Sequence, residues 1–251
     1  MFETSSITVP PTPERRSRWK HGAIPVIGVI GGIGGGKSAA AALLAERGAV
    51  VIDADAVGHE VLQRPEIQER LVARFGSEII AARDLGVEVG PKIDRRALGK
   101  IVFADESARR DLESIVHPAM IEEFERTIAE AQRSGSAIAV ALDAAVLLEA
   151  GWDGACDLVV YVDAPRAERL ARVERTRGWS RADFEAREAS QQSCDVKRRR
   201  ADYVLPNVAG PDELAVEVDR FREWLTASSD LADARRPSPS PDPSGGRAGA
   251  T

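Results

Sequence analysis

The chain has 251 residues, of which 43% are hydrophobic and 29% are charged, and its formal net charge is −6. These proportions are typical of a soluble globular protein with one substantial core, and the acidic excess argues against general nucleic-acid binding. The two cysteines, Cys156 and Cys194, form no CxxC pair and, with three histidines, make no metal-ligand set. No apolar run approaches the roughly 20 residues that span a bilayer. We therefore expect a cytoplasmic protein without nucleic-acid or membrane partners.

The two ends of the chain differ in composition from its middle. Residues 1–23 are rich in Pro, Ser, Thr and charged residues and lack the apolar segment of a secretory signal, so we predict a flexible arm. Residues 228–251 are low in complexity and poor in apolar groups, which predicts a disordered tail. One domain is therefore expected over residues 24–227.

Between these ends, apolar stretches of strand length alternate with helical patterns. The strand-like stretches are residues 25–30, 49–52, 137–142, 157–162 and 203–205. Helices are predicted over 38–48, from Pro165 onward and over 211–225. Strands that are apolar throughout and separated by helices indicate a parallel sheet covered on both faces. Residues 56–133 are mostly helical in pattern and are predicted as an insertion between the second and third strands.

The segment GGIGGGKS, residues 31–38, joins the first predicted strand to the first predicted helix. It satisfies the G-x-x-x-x-G-K-[ST] pattern of a P-loop, whose glycine N–H groups surround the β-phosphate of a nucleotide. Lys37 would then reach the β- and γ-phosphate oxygens, and the Ser38 hydroxyl would ligate Mg²⁺.

A second interpretation of the same glycines is a dinucleotide-binding turn. Gly34, Gly36 and Ala39 also fit G-x-G-x-x-A, and Asp53 ends the next predicted strand. That turn has no need of a Lys-Ser pair, so the P-loop is the favoured interpretation. The chain has no N-K-x-D motif of GTPases and is short for a motor, which favours a small-molecule kinase.

Three aspartates follow predicted strands and are candidates for the transfer reaction. Asp53 and Asp55 come after the second strand, where a carboxylate could accept the proton of an attacking hydroxyl or hold Mg²⁺ through water. Asp55 could instead cap a helix that begins near Ala56. Asp143 ends the third strand in the manner of a Walker B acid, which makes it a candidate metal ligand.

Arginines cluster after the fourth predicted strand. They lie on one helix and its end, and their spacing does not make a single face: Arg169, Arg172, Arg175 and Arg177. One or two of them could close over the phosphates and offset the charge on the transferring group, so a lid is predicted over about 166–200. The basic run at residues 197–200 could belong to this lid or be a solvated helix end.

The order of several segments resembles the dephospho-CoA kinase family over about residues 25–225. These segments are GGIGGGKS, VIDAD, KIDRRALGKIVF, IVHP, LDAAVLLEAGWD, the arginine-bearing lid and ADYVLPN. The resemblance implies an α/β, P-loop kinase-like three-layer sandwich with a five-stranded parallel sheet, a helical substrate lobe and a lid. It also implies transfer of the ATP γ-phosphate, with Mg²⁺, to the ribose 3′-hydroxyl of dephospho-CoA, the last step of coenzyme A biosynthesis. The alternative is another small P-loop kinase with a nucleotide or sugar acceptor.

The same resemblance assigns roles to individual residues. The catalytic residues would be Asp55 as the base, Lys37 on the phosphates and Arg169 in the lid. ATP would be bound by Gly32, Ile33, Gly34, Gly35, Gly36, Lys37, Ser38, Ala39, Arg172 and Asn207. The substrate would be bound by Asp53, Asp55, Asp94, Arg95, His117, Leu148 and Glu149. The metal ligands would be Ser38 and Asp143.

Two positions depart from the family pattern. Ala39 stands where a threonine usually follows the P-loop serine, although the Ser38 hydroxyl is kept. Ala145 stands where the family has a proline, which loosens a turn near the acceptor. Without the family pattern, His117 would more often be a structural histidine. We expect a monomer or a small homo-oligomer whose partners are ATP and dephospho-CoA.

Overall fold

The structure is a computed structural model that describes residues 19–81, 93–208 and 210–234. In these residues five parallel strands form one sheet: β1 (Val26–Gly31), β2 (Ala49–Asp53), β3 (Ala139–Asp143), β4 (Leu158–Asp163) and β5 (Tyr203–Pro206). The strand order is β2-β3-β1-β4-β5, and each neighbouring pair is parallel. The predicted five-stranded parallel sheet is confirmed. Because β3 lies between β1 and β2, Asp53 at the end of β2 is separated from the P-loop strand by one strand.

The helices of the described residues follow the predicted alternation. They are α1 (Lys37–Glu46), α2 (Ala54–Val61), α3 (Pro65–Phe75), α4 (Arg95–Ala104), α5 (Glu106–Ser134), α6 (Arg166–Arg177), α7 (Arg181–Ala189), α8 (Cys194–Arg200) and α9 (Pro211–Ala234). The helices α2 to α5 make up the predicted insertion, and α6 to α8 occupy the segment predicted as the lid. None of the described helices is long and apolar enough to cross a bilayer.

Alternate residues of β1 face two different apolar cores, because successive side chains of a strand point to opposite faces. Ile27 and Val29 pack in one core with Leu44 of α1 and Phe221 of α9. On the other face, Val26 and Ile30 belong to a larger core with residues of α2 to α5 such as Val61, Leu71, Leu98 and Phe124. The result is a sheet covered by helices on both faces, as the apolar strands predict.

Both ends of the domain extend beyond the predicted limits. The N–H of Lys20 donates to Asp157 Oδ1 at 2.7 Å, so the end of the predicted arm packs against the start of β4. The helix predicted over 211–225 continues to Ala234, into the segment predicted as a disordered tail. The rest of the predicted arm, residues 1–18, and of the tail, residues 235–251, lies outside the described residues.

Candidate active site

The P-loop connects the end of β1 to the first turn of α1. Gly34 and Gly36 have φ angles of 72° and 94°, in the left-handed region that glycine occupies without strain. The N–H of Gly35 donates to Gly32 O at 2.8 Å and closes the turn. No described side chain caps the start of α1. The free N–H groups of this first turn therefore remain available for an anion.

A cavity of about 250 Å³, which we call the transfer cavity, opens beside the P-loop. It brings together the predicted phosphate lysine, both predicted metal ligands and the predicted base. Its walls are formed by Ile33, Gly34, Lys37, Ser38, Asp53, Asp55, Phe103, Asp143, Ala145, Arg177, Trp179, Arg187, Ser190 and Gln191. Segments distant in sequence thus meet at the carboxyl ends of the strands, where ligands bind in open parallel sheets.

Ser38 and Asp143 bring two side-chain oxygens together in the wall of this cavity. Ser38 Oγ donates to Asp143 Oδ2 at 2.8 Å. Burial raises the pKa of Asp143, whereas Lys37 and the hydrogen bond from Ser38 act in the opposite direction. A hydroxyl and a carboxylate are the oxygen ligands that Mg²⁺ accepts alongside substrate phosphates. The described residues contain no group of three or more His, Cys, Asp or Glu placed to hold a metal.

Lys37 lies among charges of both signs. Burial lowers the pKa of Lys37, Asp143 and Asp55 raise it, and the nearby cation of Lys197 lowers it further. A partly buried ammonium of this kind gains from an anion that enters the cavity, because part of its hydration has already been lost.

Asp53 and Asp55 have different surroundings although they belong to one short motif. Asp53 Oδ1 accepts the N–H groups of Asp55 at 2.9 Å and Ala56 at 3.0 Å, and so caps α2. The interpretation of Asp55 as a helix cap is therefore wrong, because α2 begins at Ala54 and Asp53 caps it. The Asp55 side chain is exposed and lines the transfer cavity.

A second cavity of about 250 Å³, the acceptor cavity, lies between α2 and α5. Asp55 and Ala145 line both this cavity and the transfer cavity. His117 is in its wall, edge-on to Trp152 with ring centroids 4.9 Å apart. Burial lowers the pKa of His117, which favours the neutral imidazole.

Four residues predicted to bind substrate lie outside the described walls of both cavities. Asp94 caps α4 by accepting the N–H groups of Arg96 and Ala97, and Arg95 is the first residue of that helix. Leu148 is 7% exposed and belongs to the larger core. Glu149 forms an ion pair with Lys197 at 3.3 Å.

A third and larger cavity, of about 570 Å³, lies on the other side of the P-loop and is called the nucleotide cavity here. Three residues predicted to bind ATP beyond the loop line it, namely Ala39, Arg172 and Asn207. Arg172 Nη1 donates to Gly34 O at 2.7 Å, and Asn207 Nδ2 donates to Gly35 O at 2.8 Å. By holding these two carbonyls, both side chains stabilise the loop conformation.

Arg169 is packed against the back of the P-loop. It is 4% exposed, and its Nη1 donates to Ile33 O at 3.2 Å while its Nη2 meets Glu188 Oε1 at 2.8 Å. The described walls of the transfer cavity contain Arg177 and Arg187 instead. In this arrangement Arg169 supports the loop from α6.

Arg177 and Arg187 both place their guanidinium groups over one indole ring. Their guanidinium carbons are 4.9 Å and 4.3 Å from the centroid of Trp179. Sequence reasoning missed Arg187 and Trp179 and gave Arg177 no separate role. The available signal was an aromatic residue directly after the arginine-rich helix, since Trp and Arg form favourable cation–π pairs.

A P-loop with a Walker B-like aspartate and an arginine-bearing lid, all on a five-stranded parallel sheet, defines a P-loop kinase. The family model for dephospho-CoA kinase matches residues 25–213. The chain therefore belongs to the dephospho-CoA kinase family, and the predicted enzyme class, an ATP-dependent kinase, is confirmed.

Relatives and solved structures agree with this assignment. Curated dephospho-CoA kinases from Symbiobacterium thermophilum and Geobacter sulfurreducens are 42% and 41% identical, covering 77% and 78% of this chain and 78% and 96% of theirs. The structure of TT1252 from Thermus thermophilus is 34% identical, with a TM-score of 0.68 over 82% of this chain and 97% of that one. Dephospho-CoA kinase from Campylobacter jejuni is 21% identical with a TM-score of 0.54 over 80% and 97% of the two chains, a likeness of fold.

Proposed function

We propose that this kinase transfers the γ-phosphate of ATP to the ribose 3′-hydroxyl of dephospho-CoA and releases coenzyme A and ADP. The observation that carries the proposal is the position of Asp55, which lines both the transfer cavity and the acceptor cavity. A donor on the P-loop and an acceptor between α2 and α5 would meet at this carboxylate. Family membership supports dephospho-CoA as the acceptor.

The donor would lie across the P-loop. The nucleotide cavity, of about 570 Å³, has room for the nucleoside part of ATP. The loop N–H groups and the Lys37 ammonium would then hold the β- and γ-phosphates. Because Arg172 and Asn207 already hold the carbonyls of Gly34 and Gly35, the loop is organised before the donor arrives.

The metal would be held by Ser38 Oγ and the Asp143 carboxylate, whose oxygens are 2.8 Å apart. When bound with ATP, Mg²⁺ supplies positive charge that neutralises the phosphate oxygens. The hydrogen bond between the two side chains keeps both oxygens directed at one place in the absence of the ion.

Asp55 would orient the 3′-hydroxyl and accept its proton as the ribose oxygen forms its bond to the γ-phosphorus. The bond between that phosphorus and the β,γ-bridging oxygen breaks, ADP leaves with the electron pair, and the proton passes from Asp55 to solvent. Arg177 and Arg187 face the same cavity and would neutralise charge on the transferring group.

ADP release over a panel of acceptors tests the proposal. Dephospho-CoA should support turnover, whereas nucleoside monophosphates and simple sugars should leave ADP release at the background rate of ATP hydrolysis. Turnover of a nucleoside monophosphate but not of dephospho-CoA would contradict the proposed acceptor while leaving the kinase class intact.

A further inference from the structure

Lys197 of α8 is a buried charge to which the proposed transfer reaction gives no role. The basic run that contains it has the composition of a solvated helix end, yet Lys197 is 1% exposed while Arg198, Arg199 and Arg200 are exposed. Moving an ammonium into a protein interior costs several kcal/mol unless it is paired and hydrogen-bonded. The contacts of the Lys197 ammonium compensate this cost.

The ammonium of Lys197 contacts two separate parts of the active-site wall. Lys197 Nζ donates to Gln191 Oε1 at 2.9 Å, in the connection between α7 and α8 of the predicted lid. It also contacts Ala145 O at 3.4 Å and Glu149 Oε1 at 3.3 Å, in the segment that follows β3. The same Glu149 oxygen accepts the N–H of Gln192 at 2.8 Å.

Two of these partners are wall residues of the transfer cavity, since Ala145 and Gln191 both line it. Ala145 lies two residues after Asp143, a proposed metal ligand, and also lines the acceptor cavity. Gln191 follows α7, which carries Arg187. The Lys197–Glu149 pair therefore ties the lid to the segment that carries the metal and acceptor sites.

We propose that Lys197 is a positioning residue for phosphoryl transfer, which together with Glu149 fixes Ala145 and Gln191 relative to each other. This proposal rests on the proposed function of the transfer cavity. The ammonium needs no contact with substrate: it sets the distance between the lid and the segment after β3. A change of about 1 Å in the position of these wall residues is large enough to lower the rate of phosphoryl transfer.

Three variants measure this role. Lys197→Met keeps an unbranched side chain as far as the ε-carbon and removes the ammonium, and Glu149→Gln keeps an acceptor oxygen for Gln192 and removes the charge. Arg199→Met is the matched control, because it removes an exposed cation from the same helix. Each variant is assayed for kcat, for the KM of ATP and for amide hydrogen exchange at Gln192, at a temperature well below its own Tm.

The proposal predicts a selective loss of kcat. Lys197→Met should lower kcat by about ten- to a hundred-fold, as expected for a misplaced site wall. Its KM for ATP should stay within about threefold of wild type, because the nucleotide cavity does not include these residues. Amide hydrogen exchange at Gln192 should also become faster in Lys197→Met. Glu149→Gln should lose less kcat than Lys197→Met does. Arg199→Met should have the wild-type kcat.

A folded Lys197→Met enzyme with wild-type kcat, or one whose activity falls only as its folded fraction falls, would overturn the proposal. If Lys197→Met does not fold, Glu149→Gln decides: a lowered kcat at unchanged KM supports the proposal, and a wild-type kcat overturns it. The wild-type enzyme tests the proposed function separately. If it phosphorylates a different acceptor, the kcat comparison is made with that acceptor.

Discussion

At the scale of single residues, the two aspartates Asp53 and Asp55 have different roles although they belong to one short motif. Asp53 uses Oδ1 to cap α2, which fixes the backbone on which Asp55 stands. Asp55 keeps its carboxylate free of that cap and presents it to both cavities. A capping residue and a proposed base therefore have separate tasks at neighbouring positions.

Replacing Asp55 by Asn should lower kcat by about 10²- to 10⁴-fold, the usual contribution of a general base. The dissociation constant of ATP should change little, because the nucleotide cavity does not include Asp55. Steady-state kinetics and titration calorimetry measure the two quantities. Asp105→Asn is the control, since Asp105 caps α5 away from the cavities. Activity of Asp55→Asn within a few-fold of wild type would contradict the base role.

Replacing Ser38 by Ala should weaken the response to Mg²⁺. The variant loses the hydroxyl that would ligate the ion and that donates to Asp143. The Mg²⁺ concentration for half-maximal activity at fixed ATP should rise on the order of tenfold or more, as for other disturbed metal sites. An unchanged Mg²⁺ response, with only kcat lowered, would argue that Ser38 acts without the metal.

At the scale of elements, the lid shows where sequence reasoning succeeds and where it stops. Buried parallel strands are continuous apolar runs, so all five strands could be predicted before the structure was known. The arginine cluster predicted a lid, but its spacing could not distinguish Arg169 from Arg177. That distinction depends on tertiary partners, Glu188 for Arg169 and the Trp179 ring for Arg177. Lys197 was missed for the same reason, because its partner Glu149 is remote in sequence.

We expect the Trp179 ring to affect kcat by positioning Arg177 and Arg187. Trp179→Ala removes both cation–π contacts, each worth about 0.5–1 kcal/mol at an exposed site, and should lower kcat several-fold to about tenfold. Trp179→Phe keeps an aromatic face and should retain most of the activity. Rates of the two variants at saturating substrates make the comparison. Equal rates for Ala, Phe and wild type would show that the stack does not position Arg177 and Arg187.

At the scale of the whole molecule, a contact between segments that are remote in sequence joins two helices on one face of the sheet. Arg47, after α1, pairs with Asp219 of α9 through Nε at 2.6 Å and Nη2 at 2.8 Å. Arg47 also donates to Ala215 O at 3.2 Å, so the contact joins the C-terminal end of α1 to α9. These two helices cover the β1 face that carries Ile27 and Val29. Sequence alone could predict these helices but not their pairing.

Replacing Arg47 by Met should lower the urea midpoint of unfolding, because charge-assisted hydrogen bonds are lost while apolar contact is kept. The kcat should stay at the wild-type value, since Arg47 lies outside the cavities. Urea denaturation followed by circular dichroism measures the change. An unfolding midpoint equal to that of wild type would mean that the pair contributes nothing to stability.

The reactivity of the two cysteines should report how tightly the protein packs around each thiol. Burial raises the pKa of Cys156 to about 12, so its thiol is protonated and shielded in the folded protein, while Cys194 is half-buried. Alkylation at pH 8 should modify Cys194 before Cys156, and urea should make both reactive. Mass spectrometry of the peptides identifies the sites. Early modification of Cys156 in the native protein would contradict the packing around β1.

The transfer cavity is proposed to bring the γ-phosphate of ATP to the acceptor hydroxyl at Asp55. A single-turnover reaction of the enzyme with γ-labelled ATP, Mg²⁺ and dephospho-CoA tests it most directly, with the labelled product analysed by NMR. We expect one labelled phosphate on the ribose 3′-oxygen, formed by wild type and not on the same timescale by Asp55→Asn. Label that stays in ATP, appears only as free phosphate or attaches to another position would rule out this role of the transfer cavity.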